Sequence, residues 1–174
     1  MIYRNATLND LPAIVAIYNS TIASRMVTAD TEPVTVEERL NWFNNHPPST
    51  RPLWVIEEDD KMLGWVSFNN FYGRPAYNGT TELSIYLHPD SRGKGLGKKV
   101  LQYCIQRAPA LNIHTILGYI FSHNTPSILL FEQAGFTRWG LLKDVAVMDN
   151  KKYSLGIYGL TLQQMPKQIF HPVS

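Results

Sequence analysis

Residues Thr80–Lys99 read TTELSIYLHPDSRGKGLGKK. The first part alternates: Thr81, Leu83, Ile85 and Leu87 make an apolar face, and Thr80, Glu82, Ser84 and Tyr86 make the other. A period of two predicts a strand. Beyond Pro89 the run changes, and Gly93, Gly95 and Gly97 alternate with Lys94 and Leu96. From there GLGKKVLQYCIQRA takes helical spacing, with Leu96, Val100, Cys104 and Ala108 on one face. A strand, a glycine loop and a helix in succession suit an anion. Alternating glycines let backbone N–H groups converge, and a ligand can approach the bare backbone closely. The helix adds its N-terminal partial charge, while Arg92, Lys94 and Lys98 supply full charges. A flexible turn with solvated lysines would use the same residues; the flanking strand and helix favour phosphate.

Two familiar phosphate loops are excluded. A triphosphate loop, G-x-x-x-x-G-K-[ST], would need glycine at Arg92 and a hydroxyl at Lys99. A dinucleotide loop, G-x-G-x-x-G, would need glycine at Lys98 or Val100.

Working outward, Ile2–Ala6 predicts a strand and Thr7–Ser20 a helix, with Thr7 and Asp10 at capping-box spacing. Thr35–Asn45 predicts a second helix, capped by Thr35 and Glu38. LWVIEED and MLGWVSFNNF predict a hairpin across Asp59–Lys61, and YGRPAYNG a loop. HTILGYIF is a strand, and TPSILLFEQAG a helix with Pro126 in its first turn and Gly135 at its end. The stretches FTRWGLLKDVAVMDN and KKYSLGIYGLTL predict a closing strand pair. Strands dominate the middle and parallel crossovers come late, so the fold class is α+β with a mixed sheet in one domain, residues 1–174.

The 174 residues carry a net charge of +2, with 44% hydrophobic and 17% charged residues. That suits a globular chain and gives no case for nucleic acid as partner. The one cysteine, the polar N-terminus and the lack of a long apolar run predict a cytoplasmic protein with no membrane partner. No HExxH or CxxC cluster suggests a metal. The Asn78-Gly79-Thr80 sequon is a chance match. Cys104, His88, the other histidines and the four tryptophans take ordinary structural readings.

Arg92-Gly93-Lys94-Gly95-Leu96-Gly97 resembles the acetyl-CoA motif of the GNAT-type N-acetyltransferases, and Asn124–Phe136, NTPSILLFEQAGF, resembles their second block. LPAIVAIYNSTI, TEPVT and GRPAYNGTTELSIYLHPDSRGKGLG resemble the phosphinothricin and methionine sulfone or sulfoximine acetyltransferase branch. The resemblance implies a twisted mixed sheet of about seven strands, splayed at the center and flanked by about four helices. It implies acetyl-CoA as donor, a small amine as acceptor and a homodimer. Ile85, Tyr86 and Leu87 would bond the pantetheine arm. Arg92, Gly93, Lys94, Gly95, Leu96, Gly97 and Lys98 would hold the pyrophosphate, and Asn124 and Ser127 would contact the cofactor.

Amide formation needs a base for the amine proton and a donor for the developing oxyanion. Glu82 is the acid on the strand, in a T-x-E-x-S-x-Y frame resembling that of the branch, which makes it the expected base. A solvent-facing Glu paired with a lysine is the competing reading. Arg74, Pro75 and Tyr77, with Glu82 and Ser84, are the expected acceptor contacts, Arg74 as a carboxylate clamp. Two departures stand out. Phe131 occupies the place where many members have a Tyr acid, and Phe donates no proton. Ser154-Leu155-Gly156 lacks an Asp usual in the branch. A protein N-acetyltransferase and a non-catalytic acyl-CoA-binding module are the alternatives.

Overall fold

The computed structural model describes residues 1–162; the tail from Gln163, which the expected single domain of residues 1–174 includes, lies outside the described residues. The elements are β1 (Ile2–Asn5), α1 (Leu11–Asn19), α2 (Val36–Asn44), β2 (Leu53–Glu58), β3 (Lys61–Asn70), β4 (Thr80–Leu87), α3 (Leu96–Arg107), β5 (Thr115–Phe121), α4 (Thr125–Gln133), β6 (Thr137–Met148) and β7 (Lys151–Thr161). The strands form one sheet in the order β1-β2-β3-β4-β5-β7-β6. Neighbours are antiparallel except β4 and β5, which α3 joins by a crossover. The expected mixed α+β sheet is therefore present.

Helices cover both faces, and the strand pattern shows why. In β2, Leu53 to Ile56 are all buried. Leu53, Val55 and Trp65 pack with Leu11, Ile14 and Tyr18 of α1, while Trp54, Ile56, Val66 and Phe68 pack with Val100 and Cys104 of α3. Alternation sends successive side chains to opposite cores. Phe68 is fully buried, and a side chain of that size contributes roughly 2 kcal/mol by leaving water. Cys104 is a core residue too, and burial pushes its thiol well above the usual range.

The first helix starts later than its pattern predicts. Leu8–Asp10 is a 3-10 turn, and α1 begins at Leu11. The Asp10 carboxylate turns back to accept from the Thr7 N–H at 2.7 Å and the Thr7 hydroxyl at 2.8 Å. Arg4 grips the same carboxylate and lowers its pKa to about 2. The Thr35–Glu38 capping box of α2 forms as expected. Both tight hairpins carry positive φ at two central residues, Asp59-Asp60 and Asp149-Asn150, as a type I′ turn requires.

The feature that positions the site lies at the parallel pair. β4 and β5 pair from Thr80–Glu82 against Thr115–Leu117 and then part. β4 keeps β3 as far as Leu87, and β5 keeps β7 as far as Phe121. The sheet thus opens at its center, as the resemblance implies.

Candidate active site

The opening is a cleft of about 230 Å³, walled by Leu83–Leu87 of β4 and Gly118–Phe121 of β5. Arg92, Gly97, Asn124, Ser127 and Phe131 also line it, with Thr21, Met26 and Val27. Past Glu82 the two strand edges that face each other no longer pair, so their backbone groups are available to an extended ligand. Gly93 and Gly95 adopt left-handed backbone, φ 72° and 75°, which other residues rarely take. Gly95 is the N-cap of α3 and has no side chain with which to cap it. The first-turn N–H groups of α3 are thereby left for an anion. Leu96 buries its side chain in the core and contributes backbone to the loop.

Polar side chains around this cleft are largely committed to the protein. Arg92 donates to the Leu87 carbonyl at 2.9 Å and to the Ser20 hydroxyl at 2.8 Å, tying the end of β4 to α1. Asn124 accepts from the Ser127 N–H at 3.2 Å and donates to the Met26 carbonyl at 2.9 Å, capping α4 and fixing the segment across the cleft. The Phe131 ring lies on Gly118, where a Cβ would come within 2.5 Å of it.

A second cavity of about 320 Å³ meets the cleft at Ser84 and Tyr86. Ile14, Val15 and Tyr18 of α1, Arg39 and Trp42 of α2, and Trp65, Ser67 and Asn69 of β3 line it, with Glu82, Ser84 and Tyr86 of β4. Its walls are aromatic: Trp65 stacks on Tyr86 at 4.4 Å and meets Trp42 edge-on at 5.5 Å. The Trp65 indole N–H donates to the Ile14 carbonyl at 3.1 Å, locking the ring. The Arg39 guanidinium lies 4.4 Å over the Tyr18 ring and donates one bond, at 3.0 Å, to Asp30. His46 bridges the Trp42 carbonyl and Asn69, and burial pushes its pKa down. Asn69 in turn lies 3.2 Å from the Ser67 hydroxyl.

Glu82 faces this cavity, and burial raises its pKa above the ordinary carboxylate value. Among the described residues no cation pairs with its carboxylate and no donor bonds it. The lysine-paired surface reading therefore fails. An unpaired, half-buried carboxylate beside a cleft for an extended anionic ligand is an arrangement for taking protons.

A model of the acetyltransferase (GNAT) family matches residues 14–136. The chain belongs to the GNAT acetyltransferase family. It is 54% identical over 163 residues to YwnH of Bacillus subtilis (strain 168), provisionally named a phosphinothricin acetyltransferase, covering 93% of this chain and 99% of that one. It is 34% identical over 143 residues to the L-methionine sulfoximine/L-methionine sulfone acetyltransferase of Pseudomonas aeruginosa, covering 82% and 83%. The structure of a Sinorhizobium meliloti GNAT phosphinothricin acetyltransferase in complex with acetyl-CoA matches with TM-score 0.86 at 27% identity, covering 98% of this chain and 95% of that one. This GNAT protein is accordingly an acetyl-CoA-dependent N-acyltransferase, and acetyl-CoA is its donor. The open strand edges and the uncapped start of α3 fit that donor.

In this GNAT chain the expected cofactor residues come together around one opening. Ile85, Tyr86, Leu87, Arg92, Gly97, Asn124 and Ser127 line the cleft. Gly93, Lys94 and Gly95 are exposed on the loop beside it, and Lys98 is exposed in the first turn of α3. The acceptor residues divide. Glu82 and Ser84 line the second cavity, whereas Arg74, Pro75 and Tyr77 lie exposed on a 3-10 turn and line neither space. Arg39, Tyr18, Trp65, Asn69 and Tyr119 line the two spaces without having been expected there. The available signal was Arg39 with Trp42, one helical turn apart on a short polar helix. Among the described residues no helix is long and apolar enough to cross a membrane, and no cluster suits a metal ion.

Proposed function

We propose that this enzyme acetylates the primary amine of a small amino-acid-like acceptor, of the phosphinothricin or methionine sulfone/sulfoximine type, held in the second cavity with Glu82 as general base. One observation carries the reading: the uncompensated Glu82 carboxylate opens into an aromatic cavity that shares Ser84 and Tyr86 with the cofactor cleft. When bound, acetyl-CoA supplies the thioester carbonyl. The chain does the rest. Ile85, Tyr86 and Leu87 offer backbone to the pantetheine arm. Gly93–Lys98 offer N–H groups and charge to the pyrophosphate, with Arg92, Asn124 and Ser127 holding that frame in place. Glu82 takes the proton that an incoming ammonium must lose, directly or through a water. A raised pKa suits the task, since the base is then poised nearer neutral pH.

At about 320 Å³ the cavity is at the small end of ligand sites, a size for an amino acid rather than a peptide. Its aromatic walls suit an apolar stem, and Arg39 has donors to spare for a carboxylate. Arg74, with Pro75 and Tyr77, can add a second clamp from the exposed loop. The reading also includes one catalytic domain, a cytoplasmic setting and a homodimer. For the dimer the support is the edge strand β6, where Trp139, Leu141, Leu142, Val145 and Val147 are all exposed; monomers rarely leave such a patch bare. The test is release of CoA thiol from acetyl-CoA with a panel of amino acids, sulfones, sulfoximines, phosphinothricin and peptides. Turnover on the small acceptors, abolished or nearly so in Glu82→Gln, is the expected result. Turnover on peptides alone favors a protein acetyltransferase, and acetyl-CoA binding without turnover a binding module.

A further inference from the structure

Transfer from a thioester leaves charge on sulfur, and a proton must reach it. Phe131 has none to give: its ring packs against Gly118 and meets Phe136 at 4.7 Å. Another phenol stands in the same cleft. Tyr119 lies on β5 just past Leu117, the last residue paired with β4 and level with Glu82. Alternation along β5 sends Ile116 and Ile120 to the core under α3 and Leu117, Tyr119 and Phe121 to the opposite face. That is the face on which Glu82 and Ser84 line the second cavity. Among the described residues the Tyr119 hydroxyl has no hydrogen-bond partner. Burial raises its pKa, and the charges of Glu82 on β4 and Tyr72 on the β3–β4 loop raise it further. A phenol is protonated at neutral pH in any case, so Tyr119 enters the reaction with a proton to give.

We propose that the Tyr119 hydroxyl is the proton donor to the departing CoA sulfur, a catalytic role moved from α4 to β5 in this chain. The amine nitrogen bonds to the carbonyl carbon as the carbon–sulfur bond breaks, its electron pair going to sulfur. The Tyr119 proton completes the CoA thiol, and the surplus amine proton goes to Glu82, which has already passed the first ammonium proton to solvent. Water then returns a proton from Glu82 to the phenolate, so the enzyme ends as it began. The inference rests on the small-amine reading above.

The experiment compares wild type with Tyr119→Phe. Expected is a kcat about 100-fold lower, with KM unchanged for acetyl-CoA and for the acceptor. The second readout is independent of turnover: the thiolate absorbance of the enzyme–CoA complex is titrated with pH. A phenol donating to sulfur stabilises the thiolate, so the bound thiol titrates at higher pH in Tyr119→Phe than in wild type. An unchanged kcat overturns the proposal, and so does a fall in kcat without a shift in thiol titration. In either case a wild type that still acetylates small amines leaves the acetyltransferase reading standing. A wild type that releases no thiol with any amine sinks both.

Discussion

The cofactor cleft and the acceptor cavity share Ser84 and Tyr86, yet they are made from different parts of the chain. Around the cleft the groups proposed to recognise the cofactor are backbone: two unpaired strand edges, the glycine N–H groups and the start of α3. The polar side chains there, Arg92 and Asn124, spend their bonds on the protein. Around the cavity the groups proposed to recognise the acceptor are side chains, brought from α1, α2, β3 and β4 and locked by stacking. Backbone recognition suits a donor of fixed structure. Side-chain recognition lets the acceptor change with a few substitutions while the sheet stays as it is.

The sharpest way to separate the two sides is Glu82→Gln, which keeps the shape of the wall and removes the base. We expect kcat to fall by about two orders of magnitude, with acetyl-CoA binding unchanged by calorimetry. The pH profile gives the sign. The base works when deprotonated, so wild-type kcat/KM falls as pH drops through the Glu82 pKa, a midpoint above that of an ordinary carboxylate because burial raises it. The Gln variant loses that acid limb. A Gln variant with wild-type rate and an intact acid limb ends the assignment.

The next test runs in the opposite direction. Gly95→Ala forces a side chain into left-handed backbone, at a cost of about 1–2 kcal/mol. Acetyl-CoA affinity should drop about tenfold, while the acceptor KM stays where it was. Equal losses on both sides would show that the loop and cavity are not separable. Arg39→Met should raise KM by about fivefold for acceptors bearing a carboxylate and leave amines without one unchanged. Matching losses for both amine types would make Arg39 only a brace for Tyr18. The smallest effect belongs to Lys94→Ala, about a twofold weaker acetyl-CoA affinity that vanishes at high salt. A large, salt-independent loss would mean that lysine side chains, not backbone, carry the loop.

The same division explains what could be read from the amino-acid order. The strand, glycine loop and helix from Thr80 to Ala108 are contiguous, and each local preference agrees with the next, so this unit of the cleft was legible. Asn124 was legible as part of a block, but its bond to Met26 was not, because it depends on a loop far away in the chain. Glu82 could be placed on a strand face; that it lacks a cation partner is a fact of packing. Trp65 took an ordinary structural reading and Arg39 drew none, and only the approach of α2 to β3 turns them into one wall. Arg74 stands on the exposed loop on which the sequence placed it, and lines neither space. The Thr7–Asp10 turn shows the same limit on a small scale, since Arg4 competes for the capping carboxylate.

The parting of β4 from β5 after Glu82 has one more consequence. A strand edge is ordinarily a hazard, because its bare backbone can recruit any passing chain into a cross-chain ladder. Here two such edges face each other inside the sheet, each already held on its far side by β3 or β7. The slit between them is lined by both strands and by residues of α3 and α4, which leaves neither edge open along its length to bulk solvent. The fold keeps two bare edges at its center without offering either as a template to another chain.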